Sequence, residues 1–129
     1  MNSNFKDLLK LFNDSQIKYL LAGGYAVGSH SEPRYTKDLD LWIETSLENA
    51  RSVFNALKEF GVPLKNLSAD DFTQAGCFYS IGIPPTRVDV IMSIKSLSFE
   101  DAWPRRIESE IEGERVSYIS RKTFLTLPP

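Results

Sequence analysis

The chain has 129 residues, of which 42% are hydrophobic and 25% charged, and this ordinary globular composition excludes a largely disordered protein. The net charge of -2 excludes a bulk nucleic-acid binder, so any contact with RNA or DNA has to be local. A single cysteine, Cys77, excludes an internal disulfide, and no apolar run is long enough to span a bilayer, so we expect a cytoplasmic protein with no membrane partner.

The first half of the chain is predicted to alternate helices and strands. Apolar residues at helical spacing predict an amphipathic helix over 5–12, and a short strand is expected over 17–21. Gly23 and Gly24 then form a turn that opens a short helix over 25–30, and a second strand covers Asp38–Ile43. Thr45 and Glu48 predict a capping box for the next helix, which is expected to stop at Gly61.

The second half is predicted to be richer in strands. Two strand-like runs, 77–83 and 87–94, are joined by Pro84, Pro85 and Thr86, a connection too short for a crossover helix, so the two runs should pair antiparallel. A short helix is expected over 98–103, a strand over 114–119 and a final helix after Ser120. These elements predict one α/β (α+β) domain, residues 1–129.

Two carboxylates in the second strand are the first candidates for chemistry. Because side chains alternate along a strand, Asp38 and Asp40 should project from the same face. Adjacent carboxylates repel each other, and a divalent metal is the usual partner that holds them together; Mg²⁺ takes one or two carboxylates, with water and substrate phosphates as further ligands. The alternative is a solvated polar strand face, because a lone Asp-x-Asp pattern is frequent by chance.

Asp89 strengthens the metal interpretation. It lies in the otherwise apolar run from Arg87 to Met92, and a carboxylate in a core strand is usually paired or liganded. If its strand neighbours that of Asp38 and Asp40, all three carboxylates can face the same metal site, where two ions would clamp the attacking and leaving oxygens of an in-line displacement. The alternative is an ion pair between Arg87 and Asp89 at the sheet surface.

The Gly-Gly turn and the basic connection after it are candidates for phosphate binding. Gly23 and Gly24 let the backbone approach a ligand closely, and the start of the following helix offers N–H groups to the β- and γ-phosphates of a nucleotide. Arg34 and Lys37 supply the positive charge that phosphoryl transfer needs on the transferred group and on pyrophosphate. The simpler alternatives are a tight turn for the glycines and a solvated loop for the basic residues.

His30, Trp42 and Cys77 are weaker candidates. His30, the only histidine, suits a general base or a phosphate contact, yet such a residue more often ends a short helix. Trp42 alternates with Asp38 and Asp40, and forms either a wall for a base or sugar or packing beneath a loop. Cys77 is expected to be a small core residue, and without a cluster of cysteines and histidines the sequence excludes a zinc site of the usual spacing.

These motifs together resemble the signature of the nucleotidyltransferase superfamily with the DNA polymerase β-like fold. The string GGYAVGSH…PRYTKDLDLWIE is similar to the small "minimal" nucleotidyltransferases, including toxins of toxin–antitoxin and abortive-infection pairs. The resemblance implies a mixed sheet with helices packed mainly on one side. It implies that Asp38, Asp40 and Asp89 bind Mg²⁺ or Mn²⁺, that Asp89 also helps to activate an acceptor hydroxyl, and that Gly23 and Gly24 hold the triphosphate.

The resemblance also implies a reaction and partners. The expected reaction moves a nucleoside monophosphate from ATP or another NTP to a hydroxyl of an RNA, a protein or a small molecule, and an antitoxin chain is an expected partner. Two features depart from the family: Gly24 stands where many members have Ser, and the chain ends at Pro129, where related chains continue into a basic helix. Three explanations fit an absent C-terminal helix: the sequence is truncated, the gene is shortened, or a partner chain covers the exposed face. Self-association through that face, as a homodimer, is a further expectation.

Two other functions fit the same residues. One is a catalytically degenerate module of the same fold that binds a nucleotide or a protein. The other is a two-metal nuclease that uses the same carboxylates.

Overall fold

The computed structural model describes residues 3–22, 38–83, 86–94, 97–111 and 113–119. Six strands in this part of the chain form one mixed β-sheet. The strands are β1 (Tyr19–Ala22), β2 (Asp38–Ile43), β3 (Phe78–Ile83), β4 (Thr86–Ile91), β5 (Ile107–Ile111) and β6 (Glu114–Tyr118). They lie side by side in the order β3-β4-β2-β1-β6-β5. The predicted mixed sheet is confirmed.

Parallel pairing occurs at two internal places of the sheet. β2 is antiparallel to β1 but parallel to β4, and β1 is parallel to β6. The outer pairs, β3 with β4 and β5 with β6, are antiparallel hairpins. The first of these was expected from the short connection of Pro84, Pro85 and Thr86. As a result, β2 and β4 both begin at the end of the sheet where β1, β3 and β6 finish.

Two long helices cover one face of the sheet. They are α1 (Ser3–Asp14) and α2 (Leu47–Phe60). Among the described residues, no helix has both the length and the apolar character needed to cross a membrane. Alternate strand residues point toward these helices, so that Leu41 and Ile43 of β2 share a core with Val88 and Val90 of β4. This is the main core, and it places the long helices on one side as expected.

The opposite face carries a smaller apolar cluster. A short helix, α3 (Phe99–Ala102), runs into a 3-10 turn over Trp103–Arg105, and Ala102 packs with Leu20, Ala22, Trp42 and Ile119 of the sheet region. Asp40 of β2 and Asp89 of β4 belong to this second face. We call it the carboxylate face.

The ends of α2 show how local sequence sets an element. Ser46 is the N-cap, and its Oγ accepts a hydrogen bond from the backbone N–H of Asn49 at 3.3 Å, so the predicted capping box of Thr45 and Glu48 is wrong. The helix ends at Gly61, whose φ of 103° lies in the left-handed region that favours glycine, as predicted.

Two features of the second half differ from expectation. Cys77 is exposed and immediately precedes β3, because β3 is an edge strand that leaves this position uncovered. The sequence does not predict strand β5, because its residues, IESEI, include two charged side chains and lack a long apolar run. The helices expected over 25–30 and after Ser120 lie outside the described residues.

Asn49 of α2 ties the helix to the β1–β2 pair. Its Oδ1 accepts a hydrogen bond from the backbone N–H of Lys18 at 2.9 Å. Its Nδ2 donates to the backbone carbonyls of Lys18 at 3.1 Å and Glu44 at 2.7 Å. Since the Glu44 N–H also donates to the Lys18 carbonyl, one buried amide joins the entry of β1, the exit of β2 and the first turn of α2.

Candidate metal centre

Asp40 and Asp89 lie directly opposite each other on neighbouring parallel strands. The register of β2 and β4 pairs Asp40 with Asp89. Neighbouring strands lie about 4.8 Å apart, and partners in a ladder face the same side of the sheet. The strand neighbourhood on which the metal interpretation depended is therefore present, and it brings together two carboxylates that are distant in sequence.

Asp38 is the first residue of β2, and its register partner is Arg87 of β4. The backbone places it two residues before Asp40, which is the spacing that motivated the sequence prediction. The role of its carboxylate stays a prediction, as does the alternative ion pair between Arg87 and Asp89.

The side chains of Asp40 and Asp89 are partly buried, and apolar residues lie next to them on the same face of the sheet. Trp42 follows Asp40 by two residues and pairs with Ile91, which follows Asp89 by two. Trp42 is only 1% exposed, and its ring packs edge-on against Phe99 at a centroid distance of 5.1 Å. The wall for a base or sugar is thus wrong for Trp42, whose ring is covered; it packs beneath α3.

Ser80 of β3 holds one oxygen of the Asp89 carboxylate. It is the register partner of Asp89 in the β3–β4 hairpin. Its Oγ donates a hydrogen bond to Asp89 Oδ1 at 2.5 Å, at the short end of bonds from a hydroxyl to a charged carboxylate. Across β2, β4 and β3, the carboxylate face therefore presents Asp40, Asp89 and Ser80 in one row.

The candidate phosphate-binding residues adjoin this row in the chain. Ala22, the last residue of β1, is the register partner of Asp40, so the segment that begins with Gly23 leaves the sheet beside that carboxylate. The segment rejoins the sheet at Asp38. Five residues predicted or considered for the site lie in it, outside the described residues: Gly23, Gly24, His30, Arg34 and Lys37.

The donor set fits a hard divalent cation. In the part of the chain that the structure describes, no group of three or more His, Cys, Asp and Glu side chains is arranged to hold a metal. Mg²⁺ does not require one, because it commonly takes one or two carboxylates and completes its octahedron with water and substrate phosphates. Asp40 and Asp89 supply that pair from two adjacent strands, and Asp38 precedes them in the same ladder.

Sequence reasoning missed Ser80, although the chain contains a signal for it. The prediction took Pro84, Pro85 and Thr86 as the connection, which would pair Asp89 with Ile81. In the structure Ile83 pairs with Thr86, so only the two prolines separate the strands, and counting outward pairs Ser80 with Asp89. A shift of one residue moves every side chain of a strand to the other face.

The overall fold matches that of a solved nucleotidyltransferase-like structure. No protein-family model matches the chain, and no curated protein matches it either. It is similar to the crystal structure of a "putative nucleotidyltransferase" from Thermotoga maritima, with a TM-score of 0.61, 12% sequence identity, and coverage of 94% of this chain and 78% of that one. The chain therefore shares the fold of that structure, which agrees with the fold that the resemblance implied.

Proposed function

We propose that this protein is a metal-dependent nucleotidyltransferase that moves a nucleoside monophosphate from an NTP to a hydroxyl acceptor. The observation that carries the proposal is the direct pairing of Asp40 with Asp89 on the carboxylate face of the sheet. The nucleotidyltransferase fold supports it, and so does the position of Gly23, which follows the register partner of Asp40 in the chain.

The carboxylates hold the cation and handle the acceptor proton. Asp40 and Asp89, together with Asp38, hold Mg²⁺ or Mn²⁺. When bound, the cation neutralises charge on the triphosphate and on the leaving pyrophosphate. Asp89 orients the acceptor hydroxyl and takes its proton as the acceptor oxygen bonds to the α-phosphorus. The bond from the α-phosphorus to the bridging oxygen breaks, and pyrophosphate leaves with that electron pair.

The segment between β1 and β2 holds the phosphates. Gly23 and Gly24 bring backbone N–H groups to the triphosphate, and Arg34 and Lys37 add positive charge. The acceptor is a hydroxyl of an RNA, a protein or a small molecule. A role as the toxin of a toxin–antitoxin pair belongs to the same proposal, and growth arrest on expression that requires Asp40 would support it.

The direct test is transfer of label from α-labelled NTPs in the presence of Mg²⁺ or Mn²⁺. The full chain is incubated with each NTP and with RNA, protein or hydroxylated small molecules. We expect Asp40→Asn and Asp89→Asn to lower transfer by about 100-fold or more, a typical effect of losing a positioned proton acceptor and metal ligand. Asp7→Asn, which removes an exposed carboxylate from α1 on the other side of the sheet, is the matched control and should transfer like the wild type.

Three outcomes contradict the proposal, provided that thermal melting shows the variants to be folded. Equal transfer by the wild type and Asp40→Asn would remove the carboxylates from the mechanism. NTP binding without transfer to any acceptor would indicate a nucleotide-binding module. Cleavage of RNA or DNA without added NTP would indicate a nuclease instead.

A further inference from the structure

The Ser80 side chain contacts the Asp89 carboxylate from the neighbouring edge strand, β3. The two residues are register partners in the β3–β4 hairpin, and their side chains share the carboxylate face. The distance from Ser80 Oγ to Asp89 Oδ1 is 2.5 Å. A two-residue connection sets this hairpin, so the backbone itself brings the hydroxyl to the carboxylate.

A carboxylate that binds a metal has to be oriented as well as present. Asp89 can rotate about its side-chain torsions, and each rotation moves its oxygens relative to Asp40 on β2. A hydrogen bond to one oxygen restricts that rotation. The Asp89 side chain then loses less conformational freedom when a cation binds. Partners of this kind, which touch a metal ligand rather than the metal, typically alter metal affinity or activity by about 10- to 100-fold when removed.

We propose that Ser80 is a positioning residue for Asp89, and that it orients this carboxylate for a divalent cation shared with Asp40. The proposal rests on the nucleotidyltransferase function proposed above. Ser80 acts through Asp89 and is not itself a ligand. Three strands therefore contribute to the cation site: β2 supplies Asp40, β4 supplies Asp89 and β3 supplies the hydroxyl that holds Asp89 in place.

The location of Ser80 separates this role from a purely structural one. Ser80 is exposed on an edge strand, and surface substitutions at such positions usually change stability little. A structural role would appear as a lower melting temperature without a change in metal affinity of the folded protein. A positioning role would appear as weaker metal binding by a protein that melts like the wild type.

The test is titration of the full chain with Mn²⁺ alone, followed by electron paramagnetic resonance of the free ion. Ser80→Val and Ser80→Thr form a matched pair, because the two side chains have nearly the same shape and only threonine carries a hydroxyl. We expect Ser80→Val to weaken Mn²⁺ binding by about 10-fold, at the lower end of the effects of such partners because Ser80 is exposed. Ser80→Thr should stay within about 2-fold of the wild type, and so should Ser109→Ala, the control serine on the opposite edge strand β5.

A parallel titration of Asp89→Asn separates the failure of this inference from failure of the proposed function. If Asp89→Asn loses Mn²⁺ binding while Ser80→Val binds like Ser80→Thr, the positioning role is refuted and the metal site stands. If Asp89→Asn binds Mn²⁺ like the wild type, both the site and the role of Ser80 are refuted. In label transfer, Ser80→Val should need about 10-fold more Mn²⁺ for half-maximal rate and reach the wild-type rate at saturating metal, a split that lost stability alone does not produce.

Discussion

Replacement of Asn49 by alanine tests whether one buried amide holds helix α2 to the β1–β2 pair. Asn49 is only 7% exposed, and its side chain makes three hydrogen bonds to the backbone of Lys18 and Glu44. Each such bond contributes about 1 kcal/mol net, so their removal should cost about 3 kcal/mol. Alanine favours the helix by about 0.5 kcal/mol relative to asparagine, which leaves an expected loss of about 2.5 kcal/mol in the free energy of unfolding.

The assay is urea and thermal unfolding followed by circular dichroism. For a chain of this length a loss of 1 kcal/mol lowers the melting temperature by about 4 °C, so Asn49→Ala should melt about 10 °C below the wild type. Asn55→Ala is the matched control, because Asn55 is an exposed asparagine of the same helix and its replacement brings the same gain in helix propensity. Asn55→Ala should be neutral or slightly stabilising.

A second variant separates hydrogen bonding from packing. Asn49→Asp keeps the size of the side chain and the oxygen that accepts from Lys18, but it turns a carboxylate oxygen toward the carbonyls of Lys18 and Glu44. At pH 7 it should destabilise the protein at least as much as Asn49→Ala. A difference of less than about 1 kcal/mol between Asn49→Ala and Asn55→Ala would refute the reasoning.

Two further predictions concern pH and backbone conformation. Burial, followed by the carboxylate of Glu114, raises the pKa of Tyr19, while an unfolded tyrosine titrates near pH 10, so stability should be full below about pH 10 and fall as the pH rises above it. Tyr19→Phe should reduce the drop in the urea midpoint between pH 7 and pH 10.5. At pH 7 it should cost about 1 kcal/mol of stability, because the hydrogen bond from the Tyr19 hydroxyl to Asn13 is lost. An unchanged drop would show that Tyr19 is not the group responsible. Gly61→Ala should lower stability by about 1–2 kcal/mol because the residue has a φ of 103°, and Gly61→Asn should lose less; equal loss or no loss in thermal melting would contradict this explanation.

The β2 strand and its chemistry are accessible from the sequence, while the partners of that strand are not. Apolar and acidic residues alternate in DLDLWI, so both the bounds of the strand and the spacing of its carboxylates can be predicted locally. That β4 lies beside β2 in parallel is a tertiary fact. A lone carboxylate in an apolar strand suggests that it binds a ligand, but the sequence does not show which strand lies beside it.

Errors arise where tertiary context overrides a local pattern. Cys77 has the apolar character of a core residue, yet it is exposed and precedes the edge strand β3. Ser80 was missed because a connection of two residues was counted as three. In each case the missing information is where an element lies relative to its neighbours, which local propensity does not encode.

The parallel pairing of β2 with β4 bears on how the candidate site is lost when the protein opens. Sites built on loops are often disassembled by local fluctuations that leave the rest of a protein folded. Here the spacing of Asp40 and Asp89 is held by a backbone ladder whose other side chains, Leu41 and Val90 among them, are in the main core. Amides in such interior strands usually exchange with solvent only through the largest opening events. The alignment of the two carboxylates should therefore persist for as long as the protein remains folded, and disappear with it in a single cooperative step.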